Sequence, residues 1–418
     1  MTEDHHSRRL SPLRRLVWLA LSLAVLAALA GFFALRHFRF PAPTGPYPVG
    51  TMILDLTDTG RHEEHSSDPG EHRQLVAQLW YPATPSNAPL AAYQRWKEAT
   101  RSALYTPFLQ TNSRWNAPVA PGSTSFPVLL FGHRWNGQRV QNTDLAEELA
   151  SHGYVVVAID HPYNSALVEL GDGRVIKGTE VLEGPKGYAA SAAEQIDYWN
   201  TTLDVWAQDD LFVLNQLAIR SSTPSDIFYH KLDTDHTAAF GHSFGGAVSL
   251  KLCGLDPRIK AAVNLDGWTF GALQNRTAQQ PILIEYEQIT AERKKQLSAL
   301  TGPGTVGDQL DRADFAAVDR SIGPFGGSIF YVAGTQHMDF TDQPLLPPLH
   351  RVSATGPIAP AEIEGIVRET VVAFFNQSLK HTPAPLLDDP HHRFKEVTAE
   401  DSRAPRIETT GVSRPARP

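Results

Sequence analysis

The sequence predicts an α/β fold, with a mostly parallel central sheet covered by helices on both faces, preceded by one N-terminal transmembrane helix. Three observations support this prediction. Near-continuous apolar segments such as PVLLFGH, YVVVAID and PILIEYE are typical of strands buried on both faces of a parallel sheet. Segments with helical periodicity alternate with them. An uncharged stretch of 20 residues, 16–35, lies near the N-terminus.

Length and composition narrow the function classes. A chain of 418 residues can hold one large domain with appendages. Its net charge of -8 and the absence of a block of like charges argue against nucleic acid as a partner. Cys253 is the only cysteine, which excludes an internal disulfide and every cysteine-based metal cluster.

The apolar stretch 16–35 is long enough to cross a bilayer as a signal anchor. Basic residues concentrated in 1–15 predict that this segment stays in the cytoplasm and that the rest is exported to the periplasm or the extracellular space. The alternative is a signal peptide cleaved after Ala30, because Ala28–Ala30 has the small-x-small form of a cleavage site. We expect the uncleaved anchor, since the apolar run continues through GFFAL.

The first part of the exported region predicts a linker and a pair of strands. Residues 36–48 are rich in proline and predict a tether, and the folded domain is expected at 49–380. TMILDL and QLVAQLWYP predict antiparallel strands, joined by a loop whose His62, His65 and His72 lack metal-site spacing. Residues 90–105 predict a helix packed on the core, with a lid or lipid-facing surface as the alternative.

The remaining elements alternate along the chain. Helices are predicted at 142–153, 192–219, after residue 243 and at 360–379, and strands at 127–133, 154–160, 237–242, 261–266, 281–287 and 328–334. Residues 381–418 are rich in Pro, Asp, Arg and Thr without apolar periodicity, which predicts a poorly ordered tail.

The segment GHSFGG lies between a predicted strand and a predicted helix, with Ser243 at the junction. A sharp strand-to-helix turn of the form G-x-S-x-G is the nucleophile elbow of α/β-hydrolases. Gly241 and Gly245 remove the Cβ atoms that would clash where the two elements approach. The start of a helix also favours the negative charge that develops on an attacked carbonyl. Ser243 is therefore the predicted nucleophile.

A serine nucleophile needs a base and an acid, which follow it in the order acid, then histidine, in this fold. His337, in YVAGTQHMDF, follows a late strand and is the predicted base. Asp266 at the end of AAVNLD, and Glu285 and Glu287 at the end of PILIEYE, are the candidate acids. The usual strand order favours Glu287, while a shift by one strand allows Asp266.

The oxyanion hole of this fold uses the N–H after the nucleophile, here that of Phe244, and one from the loop after an early strand. FGHRWNG, residues 131–137, occupies that place. For His133 in this loop and His242 beside the nucleophile, we expect structural or substrate-shaping roles. The chemistry requires no metal and no organic cofactor.

Seven segments together resemble the secreted and bacterial platelet-activating-factor acetylhydrolases, which are serine esterases of the α/β-hydrolase fold. They are TGPYPVGT, LVAQLWYPA, FPVLLFGH, LASHGYVVVAIDH, GHSFGGA, AVNLDGWTF and GTQHMDFTD. The resemblance extends from Gly45 to about Leu379. It implies Asp266, in LDGW, as the triad acid, and the backbone N–H groups of Phe244 and Trp135 as oxyanion donors.

The chain departs from this family at Arg134, since the family usually has glycine directly after the histidine of the oxyanion strand. Arg134 is expected to narrow the mouth of the acyl pocket or to change its charge. Arg134, His133, His242 and Trp268 are the predicted substrate-pocket residues.

The resemblance implies hydrolysis of a short or oxidised acyl ester of a phospholipid through an acyl-enzyme. A small-molecule or lipid ester is the expected partner, with the membrane contacted through the N-terminal helix. A broader carboxylesterase or polyester hydrolase of the same fold is one alternative. A non-catalytic binding protein that retains the fold is another, and the oligomeric state is left open.

Overall fold

The computed structural model describes residues 12–122, 125–184, 186–273, 280–322, 327–347 and 354–400. The strands are β1 (Val49–His62), β2 (His72–Pro82), β3 (Leu90–Ala92), β4 (Gln110–Trp115), β5 (Phe126–Gly132), β6 (Val155–Asp160), β7 (Leu167–Glu169), β8 (Val175–Lys177), β9 (Leu232–His242), β10 (Ile259–Leu265), β11 (Ile282–Glu287), β12 (Gly327–Val332) and β13 (Val397–Ala399). The helices are α1 (Pro12–His37), α2 (Thr143–Ser151), α3 (Ala192–Ser222), α4 (Phe244–Leu255), α5 (Gln288–Ala299), α6 (Val306–Ile322), α7 (Pro360–Lys380), α8 (Pro385–Asp388) and α9 (Pro390–Arg393).

Eleven of the strands form one sheet in the order β13-β12-β11-β10-β9-β5-β6-β2-β1-β4-β3, and β7 and β8 form a separate hairpin. The six strands from β12 to β6 in this order run parallel to their neighbours. The β1–β2 pair is antiparallel, with Thr51 opposite Trp80, and β2 joins β6 in antiparallel orientation. The predicted mostly parallel sheet is confirmed.

Helices cover both faces of this sheet and enclose two apolar layers. One layer contains side chains of α3, α4 and α6, such as Trp206 and Val248. The other contains side chains of α2 and α7, such as Leu149 and Phe375. Side chains of the parallel strands alternate between the layers, so Val156 and Val157 of β6 face opposite sides. The continuous apolar runs in the sequence reflect this two-sided burial.

The predicted helix at 90–105 is wrong. This segment begins as strand β3 and continues in short 3-10 turns at Trp96–Glu98, Arg101–Ala103 and Thr106–Phe108. The reason lies in tertiary contacts. The Glu98 carboxylate is fully buried and accepts hydrogen bonds of 2.8 Å from both Nη1 and Nη2 of Arg139. Such contacts outweigh the weak helix propensity of a short segment.

The predicted tether at 36–48 is packed on the domain. Phe40 is 3% exposed and stacks on Tyr93 with ring centroids 5.3 Å apart. The Thr44 N–H donates to Glu148 of α2 at 2.9 Å, and the Gly45 N–H donates to the hydroxyl of Ser151 at 2.9 Å. One buried aromatic residue and these two hydrogen bonds to α2 fix the segment. Neither feature produces a periodic pattern in the sequence that would have predicted it.

The predicted disorder of the tail is wrong for residues 381–400. β13 pairs in antiparallel orientation with β12, Val397 is fully buried and the hydroxyl of Tyr331 donates to Glu400 at 2.5 Å. A three-residue strand is too short to produce an alternating pattern, which explains the difference. Residues 401–418, the rest of the predicted tail, lie outside the described residues, as do residues 1–11 of the predicted cytoplasmic segment.

Helix α1 contains the apolar stretch Leu16–Leu35, which has a mean hydropathy of 2.4 and no residue buried against the domain. By length and composition it can cross a membrane, and a signal sequence has the same properties. Its C-terminal end meets the domain, since Phe32 contacts Phe108 edge to face at 5.7 Å.

Candidate active site

Ser243 lies at the turn between β9 and α4, at the carboxyl edge of the sheet. Its backbone has φ 58° and ψ -121°, a conformation that is strained for a residue with a side chain. The Ser243 N–H donates to the carbonyl of Leu265 at 2.9 Å, which ties the turn to the end of β10. The predicted strand–turn–helix setting of the serine is present.

Two glycines allow this turn. A Cβ atom on Gly245 would lie 2.1 Å from the carbonyl oxygen of Gly132 in β5, and one on Gly241 would lie 2.3 Å from the backbone of Gly245. Both positions require glycine because the first turn of α4 packs directly on the ends of β5 and β9. This packing holds the N-terminus of α4, and with it the N–H of Phe244, next to the loop after β5.

Asp266 follows β10 and faces the imidazole of His337. Its Oδ2 lies 2.7 Å from His337 Nδ1, and its Oδ1 accepts the Glu287 N–H at 2.8 Å. Asp266 is buried, and burial raises its pKa while the contact with His337 opposes that rise. A buried carboxylate with these two donors fixes the orientation of the imidazole ring.

The two alternative acids, Glu287 and Glu285, have contacts that differ from those of Asp266. Glu287 donates its backbone N–H to Asp266, and burial together with the charge of Asp266 raises the pKa of its half-exposed carboxyl to about 7. Glu285 is fully buried against α7, where its Oε1 accepts the Thr370 hydroxyl at 2.5 Å. The structure therefore pairs His337 with Asp266.

Glu285 makes the stability of the fold dependent on pH. Burial raises its pKa from 4.5 to about 8, and its Oε2 has no hydrogen-bond partner among the described residues. The folded state therefore keeps this proton up to about pH 8, whereas the unfolded chain releases it near pH 4.5. The resulting stability is fully present below pH 4.5 and is lost as pH rises to 8.

We expect Glu285→Gln to remove this loss. The variant should match the parent in thermal unfolding of the detergent-solubilised chain at pH 5 and exceed it by several degrees at pH 8.5. The exposed Glu292 provides the control, since Glu292→Gln should leave the profile unchanged. If the unfolding temperatures of Glu285→Gln and of the parent changed with pH in parallel, the raised pKa assigned to Glu285 would be contradicted.

His242 lies beneath His337, with ring centroids 4.4 Å apart. Its Nε2 lies 2.8 Å from the carbonyl oxygen of His337, and its Nδ1 lies 2.9 Å from the side-chain nitrogen of Gln141. A neutral ring that donates from Nε2 and accepts at Nδ1 satisfies both contacts. Burial holds the pKa of His242 well below its usual value, which maintains that neutral state.

His133 is also fully buried, with its Nδ1 2.7 Å from the carbonyl oxygen of Arg134 and its Nε2 2.7 Å from the Ser165 hydroxyl. The prediction that His133 and His242 line the substrate pocket is therefore wrong in its geometry. Both rings support the loops around Ser243 and His337 from inside the protein, because their ring nitrogens are already engaged.

The loop after β5, which is the predicted oxyanion loop, is fixed by Trp135. The indole Nε1 of Trp135 donates to the carbonyl of Glu180 at 3.1 Å, and its ring meets Phe244 edge to face at 4.9 Å. Within the described residues, the backbone N–H groups of Phe244 and Trp135 have no hydrogen-bond acceptor. They are therefore available to an oxyanion.

The two remaining predicted pocket residues lie on different sides of the site. Trp268 is 39% exposed and belongs to an aromatic group with Trp199, Phe270 and Phe244. Arg134 lines a polar cavity of about 280 Å³, together with Met338, the residue after His337.

Sequence reasoning missed Gln141 and Met338. Gln141 contacts His242 across 101 positions of the chain, and no local pattern signals such a contact. Met338 could have been found from its place beside His337.

Comparisons with known proteins identify the family and the fold of the chain. A solved ferulic acid esterase from Streptomyces cinnamoneus is 27% identical, superposes with a TM-score of 0.68, and the match covers 87% of this chain and 99% of that one. A probable 1-alkyl-2-acetylglycerophosphocholine esterase of Arthroderma benhamiae is 29% identical over 59% of this chain and 64% of its own. The platelet-activating factor acetylhydrolase of Canis lupus familiaris is 25% identical, over 63% of each chain.

These two curated relatives are thus matched over less than two thirds of their own length. The family model described as platelet-activating factor acetylhydrolase, isoform II, matches residues 33–171 and 215–383, which is more than half of the chain. The chain therefore belongs to the platelet-activating factor acetylhydrolase, isoform II, family.

Proposed function

We propose that this protein is a serine esterase that removes a short or oxidised acyl group from a phospholipid. The observation that carries the proposal is the 2.7 Å contact between Asp266 and His337, at the same sheet edge as the strained Ser243 turn. Membership of the acetylhydrolase family supports the phospholipid substrate.

In the proposed mechanism, Ser243 Oγ attacks the ester carbonyl while His337 Nε2 accepts its proton. Asp266 holds the Nδ1–H of the imidazole and stabilises the imidazolium. The N–H groups of Phe244 and Trp135 bind the oxyanion of the tetrahedral intermediate. Its collapse releases the alcohol, which takes the proton from His337. Water then attacks the acyl-enzyme by the same steps and frees the acid and Ser243.

The closely packed rings beside Ser243 support a short acyl group. Phe244 contacts both Trp135 and Phe270, with ring centroids 4.9 Å and 5.1 Å apart. All three side chains are buried. Because filled aromatic contacts resist displacement, we expect these rings to limit the space for a long acyl chain.

A chain-length series tests this function. The detergent-solubilised full chain should cleave phosphatidylcholine with an acetyl group at the second position at least tenfold faster, in kcat/KM, than phosphatidylcholine with a long second chain. Turnover of aryl or feruloyl esters without any turnover of phospholipid would instead favour a broader carboxylesterase, which the likeness to the ferulic acid esterase supports. No turnover of any ester would favour a non-catalytic role.

Helix α1 serves, in this proposal, as an uncleaved signal anchor that holds the catalytic domain at the extracytoplasmic membrane surface. Phe108 contacts Phe32 in the last turns of the apolar stretch, and Trp96 contacts Phe108 edge to face at 4.7 Å. Trp96 is 61% exposed. A span that ends at this point places Trp96 at the level of the lipid headgroups, where tryptophan is enriched.

Site-directed fluorescence measures this orientation, because the only cysteine, Cys253, is buried. An environment-sensitive fluorophore attached to Trp96→Cys, in the full chain reconstituted into vesicles, should emit at shorter wavelength and be quenched by nitroxide lipids. The matched control is Ile219→Cys in α3, where the parent residue is 57% exposed, and it should behave as in water. Equal, water-like behaviour at both positions would argue against the orientation.

A further inference from the structure

Arg134 is a half-buried guanidinium without an acidic partner. Its Nη1 donates to the carbonyl of Trp135 at 3.0 Å, and no carboxylate among the described residues pairs with it. Burial accordingly lowers its pKa. Arg139, five positions later and fully buried, is by contrast held by both Glu98 and Asp160.

Partial burial of a cation that has no acidic partner has a desolvation cost, so the fold tolerates such a group mainly where it has a role. Arg134 lines the cavity of about 280 Å³ at the loop after β5, and it is the only charged residue among the described residues that line it. The other polar groups of the wall are neutral, such as Gln94, Gln343 and Thr341. Among the described residues, the charge on this wall is therefore that of Arg134 alone.

Two residues of the cavity wall are direct chain neighbours of residues in the proposed site. Arg134 directly precedes Trp135, whose N–H is the proposed oxyanion donor, and Met338 directly follows His337. These chain neighbours place part of the cavity wall next to the proposed oxyanion donor and the proposed base.

We propose that this cavity is a substrate subsite in which Arg134 binds an anionic oxygen group, a carboxylate or a phosphate, so that the protein selects esters carrying a negative charge. The inference rests on the proposed esterase function. A guanidinium is suited to this task because it donates two parallel hydrogen bonds to a carboxylate or a phosphate. The charge has two possible sources, the terminal carboxylate of an oxidised acyl chain and the phosphate of the headgroup.

Two substrate pairs separate the sources. One pair is 4-nitrophenyl butyrate and the 4-nitrophenyl monoester of glutaric acid, which differ by a carboxylate in the acyl part. The other is a short-acyl diglyceride and the matching phosphatidylcholine, which differ by the phosphocholine group. The parent should prefer the anionic member of at least one pair by tenfold or more in kcat/KM. Arg134→Gln should abolish that preference, and Arg134→Lys should keep part of it.

Lys260 supplies the control, since it lies near the amino end of β10, away from the site. Lys260→Gln should retain the preference. Inhibition of 4-nitrophenyl butyrate hydrolysis in the parent by inorganic phosphate or glutarate gives a second readout that needs no variant. No anionic preference and no inhibition in the parent, or a preference that survives in Arg134→Gln, would overturn the subsite. Failure of the parent to hydrolyse any of the four esters would instead reject the proposed function.

Discussion

Replacing Ser243 by alanine should lower kcat for every ester substrate by a factor on the order of 10⁶, the size of effect that loss of a triad serine produces in a serine hydrolase. The reason is that the proposed mechanism forms its covalent intermediate on Ser243 Oγ, and alanine offers no oxygen at the strained turn. A residual rate above that of water should remain, because the variant keeps the proposed oxyanion donors, the N–H groups of Phe244 and Trp135.

A matched control for this variant lies further along α4. The hydroxyl of Ser249 is buried and donates to the carbonyl of Gly245 at 2.9 Å, so Ser249→Ala removes a hydroxyl from the same helix and leaves Ser243 and its two chain neighbours unchanged. That variant should keep its activity within about tenfold of the parent. Comparable losses in both variants would show that α4 had been disturbed and that Ser243 has no special role.

Replacing Asp266 by asparagine should lower kcat by about 10⁴. The Oδ2 of Asp266 accepts from His337 Nδ1 at 2.7 Å, which keeps Nε2 free to take the proton of the serine. Asparagine retains the shape but lacks the negative charge, and its amide nitrogen favours the opposite tautomer of the imidazole.

Glu287→Gln is the comparison that decides between the two candidate acids. We expect a loss of less than about tenfold, because the contact of Glu287 with Asp266 is made by its backbone N–H, which the substitution keeps. Steady-state kinetics on one aryl ester, with unfolding temperatures of both variants, measures the difference. A larger loss of kcat in Glu287→Gln than in Asp266→Asn would show that Glu287, at the end of β11, is the triad acid.

The sequence predicts the sheet well where each strand carries its own signal. The parallel strands from β5 to β12 each contain an apolar run, and Ser243, Asp266 and His337 each follow one of these strands. Parallel strands bring their carboxyl ends to one edge, so the amino-acid pattern alone predicts that these three residues share that edge of the sheet.

The choice of acid could not be made from strand order alone. β10 and β11 are neighbours, and both end in carboxylates. What separates them is the direction of the side chains: Asp266, at φ 50°, turns toward His337, while Glu285 points into the layer under α7. The family resemblance indicated Asp266, and the 2.7 Å contact agrees with it.

The remaining differences come from long-range polar contacts. The pairing of Glu98 with Arg139 determines the path of residues 90–105, and the pairing of Gln141 with His242 determines the support beneath His337. The two partners of each contact are far apart in the sequence, so the local hydrophobic periodicity does not indicate the contact. The same holds for β13, which pairs with β12 across more than 60 residues.

The most direct test of the central claim is covalent labelling of the folded, detergent-solubilised chain with a fluorophosphonate, followed by peptide mass spectrometry. A phosphonate adduct should form on Ser243, and its formation should slow by several orders of magnitude in Asp266→Asn. Intact protein that gains no adduct, or that gains it at a serine other than Ser243, would contradict the account.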